Sequence, residues 1–166
     1  MFKKVFYNSK FAKIFLPTGY STITLGCFIF TKYSKHFIEQ NPKIINHENI
    51  HVEQWLEHTT LVYLLFIFYY FLDYLITNTM NVNHLCWCLS SSAFVYYIIY
   101  IFEFLINYSY YLFNPNRKLY SNKSTWYNAY RKISFELEAY NNQYNENYLK
   151  SRKDFASYSN FLRNYY

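Results

Sequence analysis

His47-Glu48-Asn49-Ile50-His51 sets two imidazoles four residues apart with a carboxylate beside the first. On a helix, residues four apart lie about 40° apart around the axis and one turn along it, so both rings can reach one zinc ion from the same face. Glu48 can then take a proton from a zinc-held water as general base without filling a coordination position. In a chain with only 5 His, such a match arises by chance roughly 1% of the time.

A catalytic zinc has three protein ligands and one open position, so a third ligand must come from elsewhere in the chain. His58 follows His51 by seven residues, which is two turns or about 10.5 Å, too far to share the ion. It reads as an interfacial or supporting residue, and His36 and His84 as ordinary surface or loop residues. After Glu103 the carboxylates are Glu136, Glu138, Glu146 and Asp154. Glu136 and Glu138 sit in WYNAYRKISFELEAYNNQ, a second expected helix, where positions two apart point about 200° away from each other. Only one of the two can face the metal.

The elements that must carry these groups follow from composition. The 166 residues fit a single domain over 1–166, and 25% aromatic content with only 2 Gly and 3 Pro excludes disorder and favours long helices. YSTITLGCFIFTK, residues 20–32, alternates as a strand with Gly26 inside it, where glycine implies close backbone approach. Asn41-Pro42 opens a helix that runs over 42–77, through the HENIH segment and into an apolar run. A second apolar helix is expected over 85–113, the helix bearing Glu136 and Glu138 over 125–145, and an amphipathic tail over 146–166. The expected fold is mainly α: the HExxH helix continues into a helical, transmembrane hairpin, with a short N-terminal β-strand or hairpin and C-terminal helices.

The membrane expectation rests on two uncharged stretches. Leu85 to Phe102 has the length of a spanning helix, whereas Thr59 to Leu72 alone fits a core helix equally well. No Lys or Arg lies between Lys43 and Arg117, and both flanks of the hairpin are basic, which places both outer ends in the cytoplasm. His51 lies about 15 Å before Leu61 along a continuous helix, so the site falls just outside the bilayer on that side. Asp73 and Glu103 are then expected to face the partner helix, a cavity or the interface, and Trp55 and Trp126 to lie near the interface. The alternative is a water-soluble helical core packed with Tyr, which the slightly negative mean hydropathy favours. The N-terminus lacks an uninterrupted apolar region and a small-residue cleavage site, so no signal-peptide cleavage is expected.

The net charge of +6 is spread over the two ends without base-stacking motifs, which argues against a nucleic-acid partner. Cys27, Cys86 and Cys88 form neither a disulfide framework nor a CxxC pair and read as apolar fillers. With Gly only at 19 and 26, GxSxG, P-loop and Rossmann motifs are impossible.

HENIH followed by FELEAY resembles the zincin metallopeptidases of the gluzincin type, in which HExxH supplies two ligands and a glutamate on a later helix the third. TLGCFIF, INHENIHVEQWLE, AYRKISFELEAYNN and YLKSRKDFASY together are similar to small membrane-associated HExxH proteins of bacteria and phages, over most of residues 18–160 and least across 77–95. The resemblance implies a zincin-like fold, zinc as cofactor, a peptide or protein substrate, His47, His51 and Glu136 as metal ligands, and Glu48 as base. It selects Glu136 because Glu136-Leu137-Glu138-Ala139 matches the ExxA pattern, and it makes the strand near Gly26 an edge strand that aligns an extended peptide. Two features depart from the pattern. Many gluzincins carry an Asp four residues after the third ligand to orient a histidine, and here that position is Tyr140. The oxyanion donor has no motif, and Tyr127, Tyr130 and Arg131 are neighbours of the right type. The competing functional class is a non-catalytic membrane scaffold or holin-like phage component with a vestigial or structural metal site.

Overall fold

In a computed structural model, residues 3–79, 81–117, 120 and 122–159 are described. The chain is mainly helical, with a small sheet near its N-terminus, two long apolar helices and short C-terminal helices. The sheet has the order β1-β3-β2, formed by β1 (Lys4–Phe6), β2 (Thr22–Leu25) and β3 (Phe28–Thr31). β1 runs parallel to β3 and was not apparent in the sequence, nor was α1 (Lys10–Phe15) between β1 and β2.

The stretch 20–32 is a hairpin instead of a strand with Gly26 inside it. β2 pairs antiparallel with β3, Leu25 opposite Phe28, so Gly26 and Cys27 form a two-residue turn. Gly26 has φ +61°, a conformation that only glycine adopts at little cost. A Cβ there would also sit 3.4 Å from the indole of Trp55, so the expected close approach is real, but it is made at the turn.

After α2 (Lys35–Gln40), α3 spans Pro42–Thr77 as expected, 36 residues or about 54 Å. Pro42 occupies the first turn, and Asn78 in the left-handed conformation ends the helix. The second apolar helix begins earlier than residue 85. α4 covers Val82–Ser91, a 3₁₀ turn covers Ser92–Phe94, and α5 covers Val95–Phe113. The hydroxyls of Ser91 and Ser92 donate back to the carbonyls of Cys88 and Leu89, competing with the helical ladder where it tightens. The indole N–H of Trp55 donates to the Ala93 carbonyl at 2.9 Å in that turn, tying α3 to the second arm.

These two arms, Pro42–Thr77 and Val82–Phe113, are long and apolar enough to cross a membrane, and only 6% and 11% of their most apolar 18-residue windows are buried in protein. Leu64, Leu65, Phe68, Leu75 and Ile76 project outward, which a water-soluble core helix would not tolerate. Length and outer surface together point to membrane association.

The expected helix over 125–145 is two helices, α6 (Thr125–Lys132) and α7 (Ser134–Asn142). Ile133, fully buried and with ψ 131°, breaks them apart. The start of α7 is held by Glu103 of α5, whose carboxylate accepts from the Ser134 backbone N–H at 2.9 Å and its hydroxyl at 2.7 Å. Glu103 therefore faces inward, and its charge meets the positive end of a helix. Asp73 is half-buried on α3. Trp126 is exposed and packs on Phe104, whereas Trp55 is held beneath the hairpin.

In the tail, α8 covers Tyr148–Ser151, and Arg152 to Ser159 returns to pack on α3. The part of the expected amphipathic tail over 160–166 lies outside the described residues. All three cysteines are free, and Cys86 is exposed on the apolar arm instead of filling a core.

Candidate metal centre

α3 turns His47, His51, Gln54 and His58 to one buried face, at spacings of four, three and four residues. α7 packs against that face and brings Glu136 to the first two. The His47 and His51 Nε2 atoms lie 3.1 Å apart. Glu136 Oε1 is 3.2 Å from His51 Nε2, and its Oε2 is 3.4 Å from His47 Nε2. Ligand atoms around a tetrahedral zinc at bonds of roughly 2.0–2.2 Å stand about 3.3–3.6 Å apart, and the two imidazole nitrogens and the two oxygens of Glu136 lie near that spacing, close enough to surround one ion. Among the described residues this is the cluster of three His, Cys, Asp or Glu side chains placed to hold a metal ion. Glu136 Oε2 is buried without a hydrogen-bond partner, a cost that a cation at the centre of the triangle would remove.

Burial by itself would push the Glu136 carboxyl up, but the imidazoles of His51 and His47 hold it well below the usual carboxylate range. It is therefore ionised, as a ligand must be. Tyr100 of α5 donates to Glu136 Oε1 at 2.8 Å. Glu138 is also buried but faces away from the triad, so the helix turns one carboxylate of the pair to each side of the His51 ring.

Glu48 does not join the triad. Its Oε2 accepts from the Thr24 hydroxyl of β2 at 2.6 Å, which aims the carboxylate into a cleft beside the two imidazoles. The cleft has a volume of about 280 Å³ and lies between β2 and the tyrosines Tyr20, Tyr96, Tyr97, Tyr100 and Tyr130. Through Leu16, Tyr20, Tyr100 and Tyr130 it adjoins a second groove without a charged side chain, lined also by Ile101, Leu105 and Trp126.

β2 is an edge strand, and its register decides which groups it offers. The Lys32 N–H donates to Ser21 O at 2.8 Å, so Ser21, Ile23 and Leu25 turn their backbone groups toward β3. The alternating antiparallel pattern then turns those of Thr22 and Thr24 toward the open edge.

Tyr140, where many gluzincins have Asp, packs its ring on that of His47 with centroids 4.4 Å apart. The guanidinium of Arg131 lies 3.3 Å over the other side of Tyr140, so Arg131 braces this ring and stays out of the cleft. Tyr127 packs on Tyr120, also away from it. Of the three expected oxyanion neighbours, Tyr130 lines the cleft, its phenol pushed up by burial and by the Glu136 charge, so it is a proton-bearing donor. Tyr100 was missed, although α5 carries a readable polar stripe at Tyr96, Tyr100, Glu103, Asn107 and Tyr111, spaced as one helical face within an apolar run. His58 donates from Nδ1 to Gln54 O at 2.6 Å and meets the Tyr158 hydroxyl at 3.0 Å, a supporting position as expected. His36 and His84 are exposed.

No family model matches the chain, and neither a curated protein nor a solved structure matches it.

Proposed function

We propose that the protein is a membrane-associated zinc metallopeptidase of the gluzincin type. The observation that carries this reading is the convergence of His47, His51 and Glu136, their facing atoms 3.1–3.4 Å apart, with the carboxylate of Glu48 held beside them in a cleft. Zinc held by the three residues supplies a water of lowered pKa and a Lewis acid for a peptide carbonyl. Glu48 takes the water's proton and delivers it to the leaving amine. Tyr100 and Tyr130 are the hydroxyls that can donate to the carbonyl oxygen as it gains charge. The open edge of β2 aligns an extended substrate by main-chain hydrogen bonds at Thr22 and Thr24, and the neighbouring uncharged groove suits apolar side chains. Detergent-solubilised protein loaded with one zinc per chain is expected to cleave a mixed peptide library, to stop when zinc is chelated, and to resume on zinc return. One zinc per chain with no cleavage of any peptide favours the non-catalytic metal-binding class instead.

We place the metal centre on the cytoplasmic side, from the basic flanks of the hairpin. His47 and His51 lie in the N-terminal part of α3, before its apolar run, and Glu136 follows the second arm, so one shared ion requires the chain to cross the membrane twice or not at all. In a variant lacking Cys27, Cys86 and Cys88, single cysteines at positions 43 and 123 are expected to be labelled from the same side of sealed vesicles. Position 81, at the hairpin tip, is expected to be labelled from the other. Labelling of 43 and 123 from opposite sides rules out the site within one chain.

A further inference from the structure

Gln54 is wholly buried three residues after His51 on the same face of α3. Its side-chain nitrogen lies 3.1 Å from the Phe135 carbonyl and 3.1 Å from Glu138 Oε2, both acceptors without protons. The amide can satisfy both in one orientation only, since the reverse would press its oxygen against two acceptors. Gln54 Oε1 therefore faces His51 Nδ1 at 2.8 Å and accepts its proton, with the Tyr96 hydroxyl as a second donor at 3.3 Å. That fixes the tautomer. When a metal cation replaces the proton that Nε2 shares with Glu136, the ring would present its lone pair from Nε2, the atom that points at His47 and Glu136.

Glu138 is in turn immobilised. It accepts from Arg152 Nε at 2.5 Å and from the Tyr148 hydroxyl at 3.1 Å. Arg152 forms a forked pair with Glu57, one turn beyond Gln54 on α3, and the Phe155 N–H donates to the same carboxylate at 2.9 Å. The C-terminal segment thus locks Glu138, Glu138 orients the Gln54 amide, and the amide sets the His51 ring. α7 meets that ring from both ends, Glu136 at Nε2 and Glu138 through Gln54 at Nδ1.

We propose that Gln54 is the positioning residue for His51, and that Glu138 and Arg152 serve the metal centre by fixing the amide that holds the ring. The inference rests on the metal reading of the triad. Its test uses metal binding by the full chain in detergent, so peptidase activity is not needed. Zinc affinity is measured by competition with a chromophoric chelator, and ligand geometry by the visible absorption of the cobalt-loaded protein. Gln54→Met, which keeps the length of the side chain but neither polar group, is expected to bind zinc about 10–100-fold more weakly and to shift the cobalt bands. Gln54→Glu alone sets a carboxylate against Glu138 and is expected to weaken zinc similarly. Adding Glu138→Gln to it replaces the carboxylate–carboxylate contact by a donor–acceptor pair in the opposite sense and is expected to bind zinc more tightly than Gln54→Glu alone, although the Phe135 carbonyl still meets an oxygen. Should the methionine variant fail to fold, the single and double glutamate variants decide the matter between them. Zinc binding by Gln54→Met within about two-fold of wild type, or a double variant no tighter than Gln54→Glu, overturns the inference while leaving the triad standing. Wild-type protein that takes up no stoichiometric zinc overturns both.

Discussion

Glu48→Gln is expected to keep its zinc and its fold while losing peptide hydrolysis by about 10²–10⁴-fold or more. The amide nearly matches the carboxylate in size and can still bond Thr24, which holds Glu48 at 2.6 Å. It cannot accept a proton from water. Because Glu48 is outside the ligand triangle, the metal has no reason to leave. The comparison requires purified wild-type and variant protein at equal zinc content, assayed on the same peptide. Equal activity in the two removes Glu48 as base, and a variant that also loses its metal moves Glu48 into the coordination shell.

Substitution of His47, His51 or Glu136 by Ala is expected to do the opposite, removing stoichiometric zinc at its source. The three candidate ligands come from two helices, and two alone would make a poor site. The loss has a second readout in stability. A ligand present at 1,000 times its Kd stabilises the folded state by about 4.1 kcal/mol, so zinc should raise the melting temperature of wild-type protein and leave that of the Ala variants unmoved. Metal content by elemental analysis gives the direct measure. Full zinc in His47→Ala/His51→Ala defeats the assignment of these ligands.

The parts of this site that could be read from sequence are those whose geometry is local. HENIH is legible because one helix fixes the relation of its three chemical groups, whatever packs against it. The choice between Glu136 and Glu138 is not local, because it depends on how α7 is rotated against α3. That rotation follows from the break at Ile133 and the grip of Glu103 on Ser134, a contact spanning 31 residues. Gln54 stood in plain view at the third position after His51, but a neutral amide has no motif, and its role emerges only with Phe135 and Glu138 in place. Tyr100 lies within an apolar run whose overall hydropathy hides the polar stripe on one of its faces.

The same distinction applies to the fold. The start and end of α3 were given by Asn41-Pro42 and by the end of the apolar run, signals confined to a few residues. A strand or hairpin was legible here, but the turn at Gly26 was not, because alternation persists on both sides of it and a two-residue turn interrupts the pattern only briefly. β1 is three residues long, and its parallel pairing with β3 has no nearby partner to announce it.

The order of the ligands along the chain governs when the centre can first exist during synthesis. His47 and His51 emerge together, but Glu136 follows His51 only after both apolar arms. At about 5–20 residues per second, the 85 residues from 51 to 136 take roughly 4–17 s to be made. Throughout that interval the nascent chain has two unpartnered imidazoles and Glu48, yet no third ligand and no closed cleft. Arg152, which locks Glu138 in place, arrives later still. On the proposed reading, hydrolytic competence would be postponed until Glu136 has been added, and a chain truncated before it would lack the third ligand.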